Sequence, residues 1–143
     1  SDHGGYTEQM QALAARLHLE DKVQFLGSRT DVPQLLQAAD LFVHPATCQE
    51  GFGITLIEAM ASGVPCLAFP KGAIPEIIGP EIDGFLTEEV SAAALTAGIN
   101  RALELFTKAP HHWHTLCKNA RQKAELFSIE RTVAQLEALY QEQ

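Results

Sequence analysis

Apolar residues along this chain fall into two patterns: short continuous runs and longer stretches with helical spacing. Runs at Val23-Gln24-Phe25-Leu26, Leu41-Phe42-Val43-His44, Cys66-Leu67-Ala68-Phe69 and Gly84-Phe85-Leu86-Thr87 predict four short strands, the first stopped by Gly27. The second and third are apolar on both faces, as in a parallel sheet covered on both sides. A helix is expected from about Thr7, with Met10, Leu13, Ala14 and Leu17 on one face. Asp31 can cap a second helix that has Pro33 in its first turn and carries Leu35, Leu36 and Ala39. Three helices close the chain. Ser91 caps one bearing Leu95, Ile99, Ala102, Leu103 and Phe106. Pro110 opens the next, with Trp113, Leu116, Cys117, Ala120 and Phe127. Ser128 caps the last, with Val133, Leu136, Leu139 and Tyr140. Helices and strands alternate and a helical tail follows, so the fold class is α/β.

Residues 48–66 form the most informative stretch. They give a glycine-bearing loop and a short helix between the second and third runs. The helix is expected to begin near Gly53 to Thr55, with Ile54, Ile57 and Ala61 facing the sheet. Gly63 suits the position just past its end, and Pro65 prevents continuation. Gly51 and Gly53 remove side chains where a ligand can approach backbone N–H groups. First-turn amides carry the positive end of the helix dipole, so Gly53, Ile54 and Thr55 can hold a diphosphate. The loop follows a strand, which puts it at the carboxyl edge of the sheet, where open α/β folds bind ligands. Glu50 precedes the helix and Glu58 lies one turn inside it. A diphosphate between them would leave one carboxylate for each flanking group, as a nucleotide sugar requires. Taken alone, two glutamates are more often solvated surface residues; the glycines, the preceding strand and the sharp helix end favour a site.

The 143 residues are one domain's worth, and 46% hydrophobic content supports a globular chain with a core. The net charge of −8 and the lack of a basic face argue against nucleic acid. Cys48, Cys66 and Cys117 are odd in number and lack metal-ligand spacing, which fits free thiols in a reducing cytoplasm. No apolar stretch is long enough for a transmembrane helix, and no signal peptide is visible.

Glu50-Gly51-Phe52-Gly53-Ile54-Thr55-Leu56-Ile57-Glu58-Ala59-Met60-Ala61-Ser62-Gly63-Val64-Pro65 strongly resembles the hallmark of retaining GT-B glycosyltransferases of group 1 (family 4), a Glu, seven residues and a second Glu. The likeness extends to Val23–Gly27, Ala39–Pro45, Pro75-Glu76-Ile77-Ile78, Asp83–Leu86 and Phe127-Ser128. It implies a Rossmann-like parallel sheet with flanking helices, spanning 1–143 as part of the donor-binding C-terminal domain. The first strands of that domain and the N-terminal acceptor domain would lie outside this chain. The implied activity is transfer of a sugar from a nucleotide-diphosphate sugar to an acceptor hydroxyl, with retention. The acceptor would be a carbohydrate, a lipid or a small molecule, and the fragment alone would be inactive. Glu50 would be catalytic and contact the donor sugar, and Glu58 would hold the ribose. Gly51, Phe52, Gly53, Ile54 and Thr55 would hold sugar and diphosphate, and Gly27, Ser28 and Arg29 would lie beside the nucleobase. Neither a cofactor nor a metal is implied, and the location would be cytoplasmic, or membrane-peripheral through the parent protein.

Two departures stand out. Many members have Pro-Ser where this chain has Pro45-Ala46, and Gly-Gly where it has Lys71-Gly72. In the family's sheet order the absent strands are central. The Val23–Leu26 strand is therefore expected to be separated from the Leu41–His44 strand, with altered pairing, a swapped partner or a further segment closing the gap. Two other functions share these features: an epimerase or phosphorylase of the same architecture, and a non-catalytic nucleotide-binding or assembly module. His111, His112 and His114 suggest a metal site but read more simply as a solvated helix start.

Overall fold

Three of the four expected strands form. The computed structural model describes residues 5–49 and 51–141, and the chain divides into two units, 1–31 and 32–143. In the first unit, α1 (Tyr6–Arg16) buries Ala14. It ends with His18 in the left-handed region, so that Leu19 N–H donates to the Ala14 carbonyl at 2.9 Å. The strand expected at Val23–Leu26 is not formed. Val23 N–H closes a turn onto the Leu19 carbonyl at 2.9 Å, and Val23, Phe25 and Leu26 are 41–43% exposed. A strand exists through ladder bonds to a neighbour. An apolar run can announce a strand without supplying the neighbour.

The second unit is built on a parallel sheet of β1 (Phe42–His44), β2 (Cys66–Ala68) and β3 (Gly84–Leu86), in the order β1-β2-β3. Phe42, Val43 and His44 pair with Cys66, Leu67 and Ala68, which pair in turn with Gly84, Phe85 and Leu86. Around it lie α2 (Val32–Gln37), α3 (Ile54–Ala61), α4 (Ile74–Ile77), α5 (Ala92–Lys108) and α6 (Pro110–Glu125), and α7 (Ile129–Gln141) follows in the chain.

Side chains on a strand alternate between faces, and both faces of this sheet are covered. Cys66 and Ala68 join Leu56, Ala59, Met60, Ile74, Ile77, Ala120 and Ala124 in one apolar cluster. Leu67 and Phe85 join Ala102, Leu105, Trp113 and Leu116 in another. This explains the uninterrupted apolar runs. A Cβ on Gly98 would stand 2.7 Å from Leu67 Cδ1, so α5 crosses β2 with no room for a side chain there.

Several helix ends obey the sequence. Ser91 Oγ accepts from Ala94 N–H at 3.0 Å, Ser128 Oγ accepts from Arg131 N–H at 3.3 Å, and Pro110 opens α6. Two buried faces differ from expectation. On α3, Leu56, Ala59 and Met60 are buried, Ile57 is half-buried, and Ile54 and Ala61 are exposed. At about 100° per residue, Leu56, Ala59 and Met60 form one stripe, roughly opposite Ile54 and Ala61. On α5, Ala102 and Leu105 are buried, whereas Ile99, Leu103 and Phe106 are exposed. The whole of α7 is amphipathic and none of its side chains is buried.

Candidate functional site

Parallel pairing delivers the loops after β1, β2 and β3 to one edge of the sheet. At that edge α3 begins. Gly53 is its N-cap, in the left-handed conformation at φ 72° and ψ 42°, which costs a residue with a Cβ and costs glycine little. Gly53 has no side chain to cap the helix, and no acidic residue stands in the first turn. The Gly53 carbonyl accepts from Leu56 N–H (3.0 Å) and Ile57 N–H (3.2 Å). The amides of Ile54 and Thr55 precede the first intrahelical bond and point out of the helix end.

At the other end, Gly63 at φ 79° completes a Schellman stop. Val64 N–H donates to the Ala59 carbonyl (3.0 Å) and Gly63 N–H to the Met60 carbonyl (2.9 Å). The helix is thus fixed at both ends, and its buried stripe locks its rotation. Ile54, Thr55 and Glu58 are exposed together as a consequence. Glu58 lines a cavity of ≈ 320 Å³ with Val32, Pro33, Leu36, Ala61 and Ser62, between α2 and α3.

Phe52, 54% exposed, sets its ring edge-on against Phe127, at 6.2 Å between centroids and 86° between planes. Phe127 is itself half-buried against the cluster that contains Met60. This contact ties the loop to the segment between α6 and α7. Helical spacing alone placed Phe127 in the core of α6 and missed this positioning role. The usable signal was an aromatic residue in a glycine-flanked loop, which needs a partner to be ordered. His44, at the end of β1, stacks on Phe42.

Of the residues singled out from the sequence, Gly51, Phe52, Gly53, Ile54, Thr55 and Glu58 lie on one continuous loop and helix. Glu50, the proposed catalytic residue, lies outside the described residues. Gly27, Ser28 and Arg29 belong to the first unit and are exposed. There the Arg29 guanidinium grips Asp31 with both arms, Nε at 2.7 Å and Nη2 at 2.5 Å. The hydrogen bond raises the Arg29 pKa and lowers that of Asp31. The Asp31 carboxylate, expected to cap α2, is committed to Arg29 instead.

Other titratable groups lie away from α3's start. Burial, and then the charge of Asp83, pushes the Cys66 thiol up to about 12, so it is an inert core residue. Burial also raises the Asp83 carboxyl, which accepts Gly79 N–H at 2.8 Å within a turn. A cavity of ≈ 700 Å³ lies between β3 and α5, and its rim carries Glu81, Glu88, Glu89 and Arg101. Arg101 Nε already donates to Glu81 at 3.0 Å. That rim is acidic on balance and offers an anion less than the uncapped helix does. Among the described residues, no three metal-ligating side chains gather, and no helix is long and apolar enough to cross a membrane.

An open parallel sheet with a glycine-led helix at its carboxyl edge is an α/β architecture, and in such folds ligands are commonly held at that edge. Comparison with known proteins makes this specific: the chain belongs to the family described as Glycosyl transferases group 1, whose sequence model matches residues 2–123. It is 36% identical over 129 residues to the N-acetyl-alpha-D-glucosaminyl L-malate synthase of Bacillus anthracis, covering 90% of this chain and 32% of that protein. Among solved structures it resembles a glycosyltransferase from Rickettsia africae, with a TM-score of 0.89, 26% identity, and coverage of 99% of this chain and 37% of that one. It also resembles HepE from Anabaena in complex with UDP, with a TM-score of 0.76, 32% identity, and coverage of 93% and 36%. At 22% identity it shares the fold of a C-terminal domain of a group 1 glycosyl transferase from Francisella tularensis, with a TM-score of 0.69 over 88% of this chain and 64% of that one. The fold is therefore that of the GT-B glycosyltransferases. The chain spans about a third of the length of the curated relatives it matches.

Proposed function

We propose that this chain is the donor-binding part of a glycosyltransferase that moves a sugar from a nucleotide-diphosphate sugar to an acceptor hydroxyl with retention. The observation that carries the reading is the start of α3. Gly53 leaves the Ile54 and Thr55 amides uncapped, and the exposed Glu58 stands one turn further on beside a cavity. In this reading the amides and the helix dipole hold the diphosphate. Glu58 accepts hydrogen bonds from a ribose hydroxyl pair, and Phe127 holds the Phe52 loop in place. Glu50 serves the donor sugar, and Gly27, Ser28 and Arg29 the base. The complexes of HepE with UDP and with UDP-glucose support a nucleotide-sugar donor. The acceptor and the groups that receive it belong to the remainder of the protein.

The test is calorimetric binding of UDP, GDP and ADP, and of their glucose or mannose conjugates, to the full-length polypeptide. One diphosphate series is expected to bind, and Glu58→Ala to weaken it roughly tenfold or more, as loss of a charge-assisted hydrogen bond does. Binding of none of them, or unchanged affinity in Glu58→Ala, would defeat the proposal.

A further inference from the structure

β3 is an outer strand: it pairs with β2 and with no other strand among the described residues. Thr87 N–H donates to the Ala68 carbonyl at 3.1 Å, so the backbone groups of Phe85 and Thr87 face β2 and those of Gly84 and Leu86 face outward. The first half of that outer edge is covered. Gly84 forms a bridge with Pro80, and its carbonyl accepts from Glu81 N–H at 2.7 Å. The second half is open. Among the described residues, no hydrogen bond engages the outward N–H and carbonyl of Leu86. Beside them runs the cavity of ≈ 700 Å³, lined on α5 by Ala93, Ala94, Ala97 and Gly98, whose small side chains leave room for another segment of chain. At its rim Arg101 is already held by Glu81. Glu88 meets no lysine or arginine among the described residues, and the Glu89 carboxylate accepts only from Ser91 Oγ, at 2.7 Å.

An open N–H and carbonyl on an outer strand are the groups to which an extended peptide adds as a further strand. We propose that the outer edge of β3 docks an extended, basic peptide segment of a partner protein. Backbone bonds at Leu86 hold it, and its lysine or arginine side chains meet Glu88 and Glu89. The net charge of −8 favours the approach of such a segment. The surface does not depend on the donor reading, because β1, which leads into α3, lies on the other side of β2.

The test is selection from a random peptide library on the full-length polypeptide, followed by affinity measurements with the enriched sequences as synthetic peptides. Peptides rich in lysine or arginine are expected. Ala97 is exposed, so Ala97→Leu narrows the cavity and leaves the core intact. It is expected to weaken these peptides about tenfold or more, and Glu88→Lys to weaken them on the same scale, with circular dichroism showing both variants folded. N-methylation scanned along an enriched peptide, which leaves the protein unaltered, is expected to cost affinity at alternate residues, as in a paired strand. The proposal is overturned if no basic peptide is enriched, if either folded variant binds the enriched peptides like the unaltered protein, or if N-methylation costs the same at every residue.

Discussion

Gly53 and Gly63 bracket α3 in the same left-handed conformation, at φ 72° and 79°. They form a matched pair, since only one of them touches the proposed diphosphate cradle. Placing a Cβ in that conformation costs roughly 1–2 kcal/mol. Alanine recovers about 0.4–1 kcal/mol of this by narrowing the unfolded ensemble. Gly53→Ala and Gly63→Ala should therefore each lower stability by something on the order of 1 kcal/mol. No clash adds to the cost at Gly63, where the nearest atom to a Cβ is the Cys117 carbonyl oxygen at 4.0 Å. Urea unfolding should show two similar shifts of midpoint at unchanged slope. Nucleotide binding should separate the pair. A methyl group at position 53, and any shift of the Ile54 and Thr55 amides, should weaken the diphosphate about tenfold or more. Gly63→Ala should leave affinity within about twofold, because its end of the helix faces away from the ligand. Equal affinities in the two variants would refute the assignment of the cradle to α3's N-terminus.

Three further outcomes follow from the geometry. The Phe52–Phe127 contact should give a coupling of about 0.5–1.5 kcal/mol in a double-mutant cycle on stability. Phe127→Ala should also weaken nucleotide binding, and a coupling near zero would leave the loop without its tether. Burial holds the Asp83 carboxyl above its ordinary range, so the folded chain takes up that proton more readily than the unfolded chain. This group's contribution to stability therefore rises as pH falls through its folded value, and it levels off below the unfolded one. Asp83→Asn keeps an acceptor for Gly79 N–H and removes the titration. The stability difference should thus move towards the unaltered protein as pH falls from neutral towards the ordinary carboxylate range, and a constant difference would contradict burial as the cause. Alkylation followed by mass spectrometry should label exposed Cys48 first and half-buried Cys117 slowly, because burial raises its thiol. Cys66 should be labelled only on unfolding, and rapid labelling of Cys66 in the folded chain would contradict its burial.

The sheet was legible because the runs that became β1 and β2 are apolar on both faces, a pattern with few other solutions, and β3 followed as a further short run. Helix ends were legible where one residue type does the work: Ser91 and Ser128 as caps, Pro110 as a first residue, Gly63 as a stop. Partners were not legible. Val23–Leu26 reads as a strand and makes no ladder among the described residues. The stripe of Val133, Leu136, Leu139 and Tyr140 gives a helix correctly, but periodicity does not say what covers it. Rotation was the second gap. Ile54 and Ala61 share a helical face as Leu56, Ala59 and Met60 do, and only packing selects which stripe turns inward. That selection matters for function, because it sends Glu58 outward with Ile54 and Thr55. At the site, the uncapped start of α3 was legible from Gly51 and Gly53, whereas the hold of Phe127 on Phe52 spans 75 residues of sequence and needed the fold.

If the start of α3 holds the diphosphate of a nucleotide donor, the ligand shields the amides there. Amide hydrogen exchange of the full-length polypeptide, with and without a saturating nucleoside diphosphate, reads that shielding. New protection is expected in a peptide covering residues 52–58, and none in one covering the acidic groove at 87–98. Protection at the groove with none at 52–58 would contradict it.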